Sequence, residues 1–122
     1  MEEELIITSE VMNDTLLITL KGDLTKTSGE KLLKFHQWEQ GLPNNLSIFI
    51  INFDDVHYIN SAGIAYLIRL CRLLDGNHIT MRAFGLEYHY EKMFSIVGLS
   101  RYLSHYPSQW AAVEGIENIN KN

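Results

Sequence analysis

This chain contains almost no cysteine and no long apolar run. Cys71 is the only cysteine among 122 residues, so a disulfide within the chain is excluded, and its apolar neighbours predict a place in the core. No apolar stretch approaches the roughly 20 residues needed to span a bilayer, and the chain starts Met-Glu-Glu-Glu rather than with the basic residues of a signal peptide. These absences predict a soluble cytoplasmic protein with no direct membrane insertion.

Basic side chains are also in the minority. Ten Lys and Arg stand against 15 Asp and Glu, for a formal charge of −5 at pH 7. Because Lys and Arg hold nucleic-acid phosphates, this balance argues against a nucleic-acid partner. With 46% hydrophobic and 20% charged residues, the composition is that of a globular protein. The length suits one domain, predicted over residues 1–117, with a frayed polar tail at residues 118–122.

The first half of the chain predicts a hairpin, a helix and a central strand. Residues 5–11 and 15–20 are β-rich runs on either side of Met12-Asn13-Asp14, which contains turn-forming residue types. The spacing from Thr27 to Glu30 matches a capping box and predicts a helix over residues 28–40 that ends at Gly41. The continuous apolar run 46–53 is typical of a strand buried on both faces, at the centre of a parallel sheet.

The second half continues the alternation of helix and strand. Apolar spacing predicts a helix over residues 61–75, a strand over 78–84, a helix over 90–97 that ends at Gly98, a short strand over 102–106 and a final helix after Pro107. The expected fold class is therefore α/β. Its architecture is a layered domain with a mixed, mostly parallel sheet, an N-terminal antiparallel hairpin at one edge, and helices packed on it.

The segment Asn60-Ser61-Ala62-Gly63-Ile64 stands where the central strand gives way to a helix. Local pattern favours Ser61 as the helix N-cap, because a serine oxygen accepts from an N–H two or three residues further on. We expect its hydroxyl to be exposed beside free N–H groups at the positive end of the helix, a setting that also suits a phosphate. Gly63 either lets a partner's backbone approach Ser61 or only relieves packing at the helix start.

Residue types for hydrolysis occur near this segment, but their motif is missing. Ser61 with His57 and either Asp54 or Asp55 could supply a nucleophile, a base and an orienting group. A nucleophile elbow, however, has the pattern Gly-x-Ser-x-Gly, and Ile59 occupies the first glycine position. We therefore expect no enzymatic activity.

Metal and cofactor motifs are absent from the sequence as well. The five histidines do not have the spacing of metal ligands, and His36 is predicted to be a buried imidazole on an apolar helix face. No phosphate-binding loop is present, because Gly22 and Gly63 are isolated glycines without a following Lys-Ser/Thr. We expect neither a metal nor a cofactor.

The order of elements and two short motifs resemble the STAS domain, the fold of bacterial anti-sigma factor antagonists. Asn60-Ser61-Ala62-Gly63-Ile64 is similar to the family signature Asp-Ser-Ser/Thr-Gly-Leu, in which the serine after the Asp, here Ser61, is the phosphate acceptor. Gly22-Asp23-Leu24-Thr25 is similar to the family's Gly-x-Leu-Asp. The resemblance covers roughly Leu5 to Val113 and implies a bacterial phosphoprotein that regulates transcription through protein–protein interaction.

Both motifs depart from the family at a carboxylate, since Asn60 and Thr25 each stand in place of an Asp. If those carboxylates help a kinase align the hydroxyl, this chain is phosphorylated poorly or by a kinase with different needs. Their absence also lowers like-charge repulsion against a bound phosphate. The sequence leaves both consequences open.

The resemblance implies a serine-kinase type of anti-sigma factor as partner, with phosphate on Ser61 weakening the complex. The predicted contact residues flank Ser61 in sequence or lie in the Gly22 motif: Asp23, Thr25, His57, Tyr58, Asn60, Ser61, Ala62, Gly63 and Ile64. Local pattern also allows purely structural roles for these residues, since loop aromatics such as Tyr58 often pack on their own domain. The alternative function is a non-phosphorylated scaffold or subunit in a stressosome-like assembly or a transporter complex. Oligomeric state is left open.

Overall fold

Five strands pair in the order in which they occur along the chain. The computed structural model describes residues 2–116; the tail predicted at 118–122 lies outside the described residues. The first pair of strands is antiparallel and the other three pairs are parallel. The strands and helices are β1 (Ile6–Met12), β2 (Thr15–Lys21), α1 (Lys26–Lys34), β3 (Ile48–Asp55), α2 (Ser61–Asp75), β4 (Thr80–Phe84), α3 (Tyr88–Ile96), β5 (Leu103–Tyr106) and α4 (Gln109–Glu114). The predicted fold class is confirmed.

The hairpin of β1 and β2 forms as predicted and gives the sheet its antiparallel edge. Its two-residue turn is Asn13-Asp14, with Asn13 at φ +56°, a left-handed conformation that asparagine tolerates. From this turn, pairing runs without interruption from Met12 opposite Thr15 to Ile6 opposite Lys21. β1 is therefore a regular strand at one edge of the sheet.

The central strand β3 is buried on both faces, as its continuous apolar run predicted. Phe49, Ile51 and Phe53 face the main core, while Ile50 belongs to a smaller cluster on the opposite face. The strand begins two residues later than predicted, because residues 43–45 form a 3₁₀ turn that Leu46 closes by donating to the Pro43 carbonyl.

Helices cover the two faces of the sheet unequally. Helices α1, α2 and α3 contribute to the main core, whereas α4 alone packs on the other face, against Leu17, Ile50, Phe84 and Tyr106. Cys71 of α2 is fully buried in the main core, and burial raises the pKa of its thiol to about 12. It is a packing residue, as predicted. Within residues 2–116, no helix has the length and apolar character needed to cross a membrane.

The first helix differs from its prediction at both ends. It begins after Thr25, whose backbone N–H donates to Ser28 Oγ at 2.7 Å, so the predicted box of Thr27 and Glu30 is wrong. It stops at Lys34 instead of residue 40, because the chain turns to insert the Trp38 ring into the core, where Nε1 donates to the Leu32 carbonyl at 2.9 Å.

Two further consequences follow from the early end of α1. His36 lies in a bend after the helix and is half-buried, not buried on a helix face, and its ring packs edge-on against Trp38 with centroids 5.2 Å apart. Gly41 ends a separate 3₁₀ turn over residues 38–40. The apolar spacing did not indicate this early end of the helix, because Trp38 fits both the apolar stripe of a longer helix and a turn that fills the core.

The remaining elements lie close to their predicted positions. Helix α2 starts and ends at the predicted residues, and α3 is followed by Gly98 in a left-handed conformation. Strand β4 begins two residues later than predicted, since His78 adopts φ +59° in the preceding turn. Strand β5 and helix α4 form where expected, with Ser108 capping α4 by accepting from the Ala111 N–H.

Candidate functional site

A short backbone bridge brings the two motif segments together beyond the carboxyl ends of the parallel strands. Leu24 and Ile59 pair in parallel, with the Leu24 N–H donating to the Tyr58 carbonyl at 2.9 Å and the Asn60 N–H donating to the Leu24 carbonyl at 3.2 Å. The Tyr90 hydroxyl of α3 accepts from the Ile59 N–H at 2.9 Å and so also holds the bridge in place. The Gly22 motif therefore lies beside the segment 60–64.

Ser61 is the first residue of α2, and the predicted N-cap role belongs to its neighbour. Asn60 has the extended conformation of an N-cap and its Oδ1 accepts from the Gly63 N–H at 3.0 Å. Asparagine is at least as good an N-cap as serine, so the cap falls one residue earlier than predicted. The Ser61 side chain is exposed and has no capping bond to make.

Free backbone donors lie next to the Ser61 side chain. The N–H groups of the first helical turn have no acceptor inside the helix. Among residues 2–116, those of Ser61 and Ala62 have no protein acceptor, while those of Asn60 and Gly63 do. Two free N–H groups at the positive end of a 15-residue helix form a suitable environment for an anion.

Gly63 serves packing and not partner approach. It is buried, and a Cβ built on it would overlap the carbonyl oxygen of Leu24. That carbonyl is the acceptor for the Asn60 N–H in the bridge. Of the two roles considered for this glycine, the structure supports the packing role.

Thr25 is buried and lies against a carboxylate from another part of the chain. Its Oγ1 donates to Glu2 Oε2 at 2.6 Å, and the neighbouring Asp23 Oδ2 accepts from the Glu3 N–H at 2.8 Å. Glu2, Asp23, Thr25, Tyr58 and Asn60 together line a polar depression of about 470 Å³. No sequence pattern indicated Glu2, because its contact with Thr25 spans 23 residues.

On its other side, the Ser61 loop borders an apolar groove between α2 and α3, which we call the α2–α3 groove. Its volume is about 500 Å³. Tyr58 and Val97 at its rim are 50% and 45% exposed. The residues that line it are Tyr58, Ile59, Asn60, Ser61, Ile64, Ala65, Ile68, Met93 and Val97.

Sequence reasoning missed the part of the groove beyond residue 64. Ile68, Met93 and Val97 fit the apolar spacing from which the two helices were predicted, and that spacing did not indicate that they line a groove. Val97 instead lies at the exposed end of α3, and Ile68 and Met93 are half-buried. An apolar stripe alone does not distinguish a side chain in a core from one in an open groove.

His57 is exposed and held by a carboxylate, not by Ser61. Its Nδ1 lies 2.6 Å from Glu87 Oε2, and this hydrogen bond raises the pKa of His57 above its ordinary 6.5, with smaller contributions from the charges of Glu87, Asp55 and Glu3. Within residues 2–116, Ser61 makes no hydrogen bond to His57. The residues of the considered hydrolase triad are therefore not assembled. No group of three potential metal ligands occurs in the described part of the chain.

This chain belongs to the STAS domain family, which matches it over residues 7–112. Among curated proteins, no match was found. Solved structures with the same fold include an anti-sigma factor antagonist from Mycobacterium paratuberculosis, with 14% identity and a TM-score of 0.73 over 94% of this chain and 96% of that one. The family match and this structure thus agree that the chain has the STAS fold.

Two more solved structures bear on the alternatives raised by the sequence. The Bacillus cell fate determinant SpoIIAA in its phosphorylated form has 18% identity and a TM-score of 0.66, over 91% of this chain and 99% of that one. A sulfate transporter family protein from Wolinella succinogenes has 11% identity and a TM-score of 0.69, over 86% and 87%. At these identities the likeness establishes the fold.

The position of the N-cap gives a test by stability. We predict that Asn60→Ala lowers the free energy of unfolding by about 1 kcal/mol, because the Gly63 N–H loses its acceptor. Asn60→Asp keeps an acceptor at that place and should cost at most a few tenths of a kcal/mol. Urea unfolding measures both. Ser61→Ala is the matched control and should leave stability nearly unchanged; a larger loss in this variant than in Asn60→Ala would return the cap to Ser61.

The contact of His57 with Glu87 gives a test by pH. Because the folded-state pKa of His57 is raised, its contribution to stability is fully present below the unfolded pKa and is lost as pH rises through the folded pKa. In Glu87→Gln we expect the pKa of His57, measured by NMR, to fall toward 6.5. The stability difference from wild type should be greatest between about pH 5 and 6.5 and shrink above it.

Glu91→Gln is the control for the His57 titration, because Glu91 pairs with His105 and not with His57. An unchanged His57 titration in Glu87→Gln would contradict the assignment.

Proposed function

We propose that this domain binds a kinase-type anti-sigma factor and that phosphorylation of Ser61 weakens the complex. The observation that carries the proposal is the position of Ser61. It is exposed at the start of α2, beside free N–H groups and on the border of the apolar α2–α3 groove. A modifiable hydroxyl next to an uncovered apolar surface is the arrangement that a phosphorylation-controlled interface needs.

Charge explains how a phosphate at this point would act. Phosphorylation adds about −1.5 to −2 charges, on a chain that already carries a net charge of −5. Glu2 and Asp23 line the depression on the other side of Asn60, so the partner would meet a locally anionic edge. A docking partner must remove water from this edge, and a dianion there makes the desolvation more costly.

The predicted contact residues divide into two groups by accessibility. Three of them are buried: Gly63 leaves the space that the bridge needs, Thr25 binds Glu2, and Ile64 belongs to the core where it lines the groove. The others have exposed surface with which to meet a partner, and these are Asp23, His57, Tyr58, Asn60, Ser61 and Ala62. To these the proposal adds the groove residues Ala65, Ile68, Met93 and Val97.

The relatives support the proposal by what their names state. One structural neighbour is an anti-sigma factor antagonist, and SpoIIAA has been solved in a phosphorylated form. The local geometry supports it independently, because among residues 2–116 the cap is made by Asn60 and the Ser61 hydroxyl has no hydrogen bond to give up before it accepts a phosphate.

A kinase assay tests the proposal directly. Incubation with the cognate kinase and ATP should place one phosphate on Ser61, located by mass spectrometry, and none on the Ser61→Ala variant. Ser61→Asp should bind the partner at least about tenfold more weakly, a change of about 1.4 kcal/mol, as measured by calorimetry.

Ser47→Asp is the matched control for the charge substitution. Ser47 is exposed just before β3, at the end of the sheet away from Ser61. It should bind the partner as tightly as wild type. Phosphate on another residue, or a Ser61→Asp protein with wild-type affinity, would refute the switch.

The second candidate function is a scaffold or subunit that is not phosphorylated. The side chains at positions 25 and 60 favour it, because neither Thr25 nor Asn60 carries the carboxylate of the family motif. The likeness to a sulfate transporter family protein agrees with this candidate. The contact of Glu2 with Thr25 weakens this second candidate, because it places a carboxylate beside position 25.

A pull-down from the source cells separates the two candidates. Recovery of a GHKL-type kinase would support the first, and recovery of a transporter subunit or a large assembly of this chain would support the second. Ile68→Glu, which puts a charge in the α2–α3 groove, should lose the partner in either case. Leu73→Glu is the control, because Leu73 is an exposed residue of α2 that does not line the groove.

A further inference from the structure

The edge strand β1 lacks the features that usually prevent strands from pairing with other chains. Natural edge strands are short, bulged, or protected by proline or several charges. β1 has seven residues, contains no proline, carries Glu10 as its one charged residue, and pairs with β2 without a bulge. The opposite edge, β5, has four residues and is followed by Pro107. Only one of the two edges is therefore protected.

The hairpin turn determines which backbone groups of β1 remain free. In a hairpin closed by a two-residue turn, the pair next to the turn exchanges hydrogen bonds, and so does every second pair after it. Met12 opposite Thr15 is the first such pair, so the even-numbered residues of β1 bond to β2. The N–H and C=O groups of Ile7, Ser9 and Val11 consequently point to the free edge.

The sequence of β1 is self-complementary about Ser9. When two copies run antiparallel with Ser9 opposite Ser9, Ile7 lies opposite Val11 and Ile6 lies opposite Met12, so apolar side chains meet apolar ones. Glu10 then lies opposite Thr8, and no like charges face each other within the strand.

The exposure of β1 in the single chain fits this arrangement. The side chains of Ile6 and Val11 are 52% and 53% exposed. They point to opposite faces of the sheet, since their positions differ by an odd number. Strand pairing would place an apolar neighbour beside each of them.

We propose that β1 pairs with β1 of a second copy of this chain, antiparallel and centred on Ser9, to form a two-fold symmetric dimer. The two sheets become one sheet of ten strands, joined by about six backbone hydrogen bonds from the pairs of Ile7, Ser9 and Val11. No residue that lines the α2–α3 groove belongs to β1. The dimer therefore presents two copies of the Ser61 site.

Sedimentation velocity over a range of concentrations tests the dimer. Wild type should shift from monomer to dimer as concentration rises, whereas Ser9→Pro should stay monomeric over the same range. Because the Ser9 N–H faces the free edge, proline at this place removes an intermolecular donor and spares the bonds to β2. Circular dichroism and urea unfolding should show a Ser9→Pro domain that is folded like wild type.

The second variant is Val11→Lys. Its charge disfavours pairing of the edge strand with another chain, and the substitution leaves the backbone donors and acceptors in place. It should also be monomeric. A wild-type protein that is monomeric at every concentration would overturn the proposal, and so would a dimer that persists in both variants.

Disulfide cross-linking tests the register. In a Ser9-centred pair the two Ser9 Cα atoms lie about 5.5 Å apart, within the range that a disulfide spans. Ser9→Cys should therefore give a covalent dimer on mild oxidation. Thr8→Cys is the matched control and should cross-link poorly, because Thr8 faces Glu10 of the other copy. The native Cys71 does not compete, since it is buried with its pKa raised to about 12. Equal cross-linking of both variants would overturn the register.

Discussion

The geometry of the candidate site depends on one backbone carbonyl, that of Leu24. It accepts from the Asn60 N–H and so holds the loop before α2 against the loop before α1. Gly63 leaves the space that this approach requires, and the Tyr90 hydroxyl supports the paired segment from α3. The Ser61 loop is therefore held by one main-chain contact, one side-chain hydroxyl and the close approach that Gly63 allows.

Neighbouring residues divide the structural and the chemical roles at the start of α2. Asn60 caps the helix and fixes its first turn, while Ser61 makes no bond that the fold needs. A serine that also capped the helix would have to break that bond before it could carry a modification. Separation of the two roles lets the hydroxyl change its charge while the helix stays intact. Asn60, which departs from the family signature, is thus well suited to the N-cap position of α2.

Most of the fold could be predicted because local and tertiary signals agree along most of the chain. The β3 run and the α2 stripe each fit one element only; α2 forms at the predicted residues and β3 within two residues of them. The prediction failed at Trp38, where a helical spacing coincided with a residue that fills the core from a turn. The exposed position of Ser61 at the start of α2 was predictable from the strand-to-helix junction. The places of Glu2 and Val97 in the site could not be predicted. Glu2 contacts Thr25, which is 23 residues away in the sequence, and Val97 is exposed at the end of a helix.

The phenol of Tyr90 joins helix α3 to the segment that precedes the Ser61 loop. Its ring is part of the main core on α3, while its oxygen holds the Ile59 amide directly before the Ser61 loop. A ligand that wedges α3 away from α2 would strain this link and loosen the segment that presents the hydroxyl. By thermodynamic reciprocity, a modification that shifts the segment would alter the affinity of the groove to the same extent. If Ser61 is modified as proposed, the Tyr90 hydrogen bond would be one route that couples occupancy of the α2–α3 groove to the chemical state of the serine.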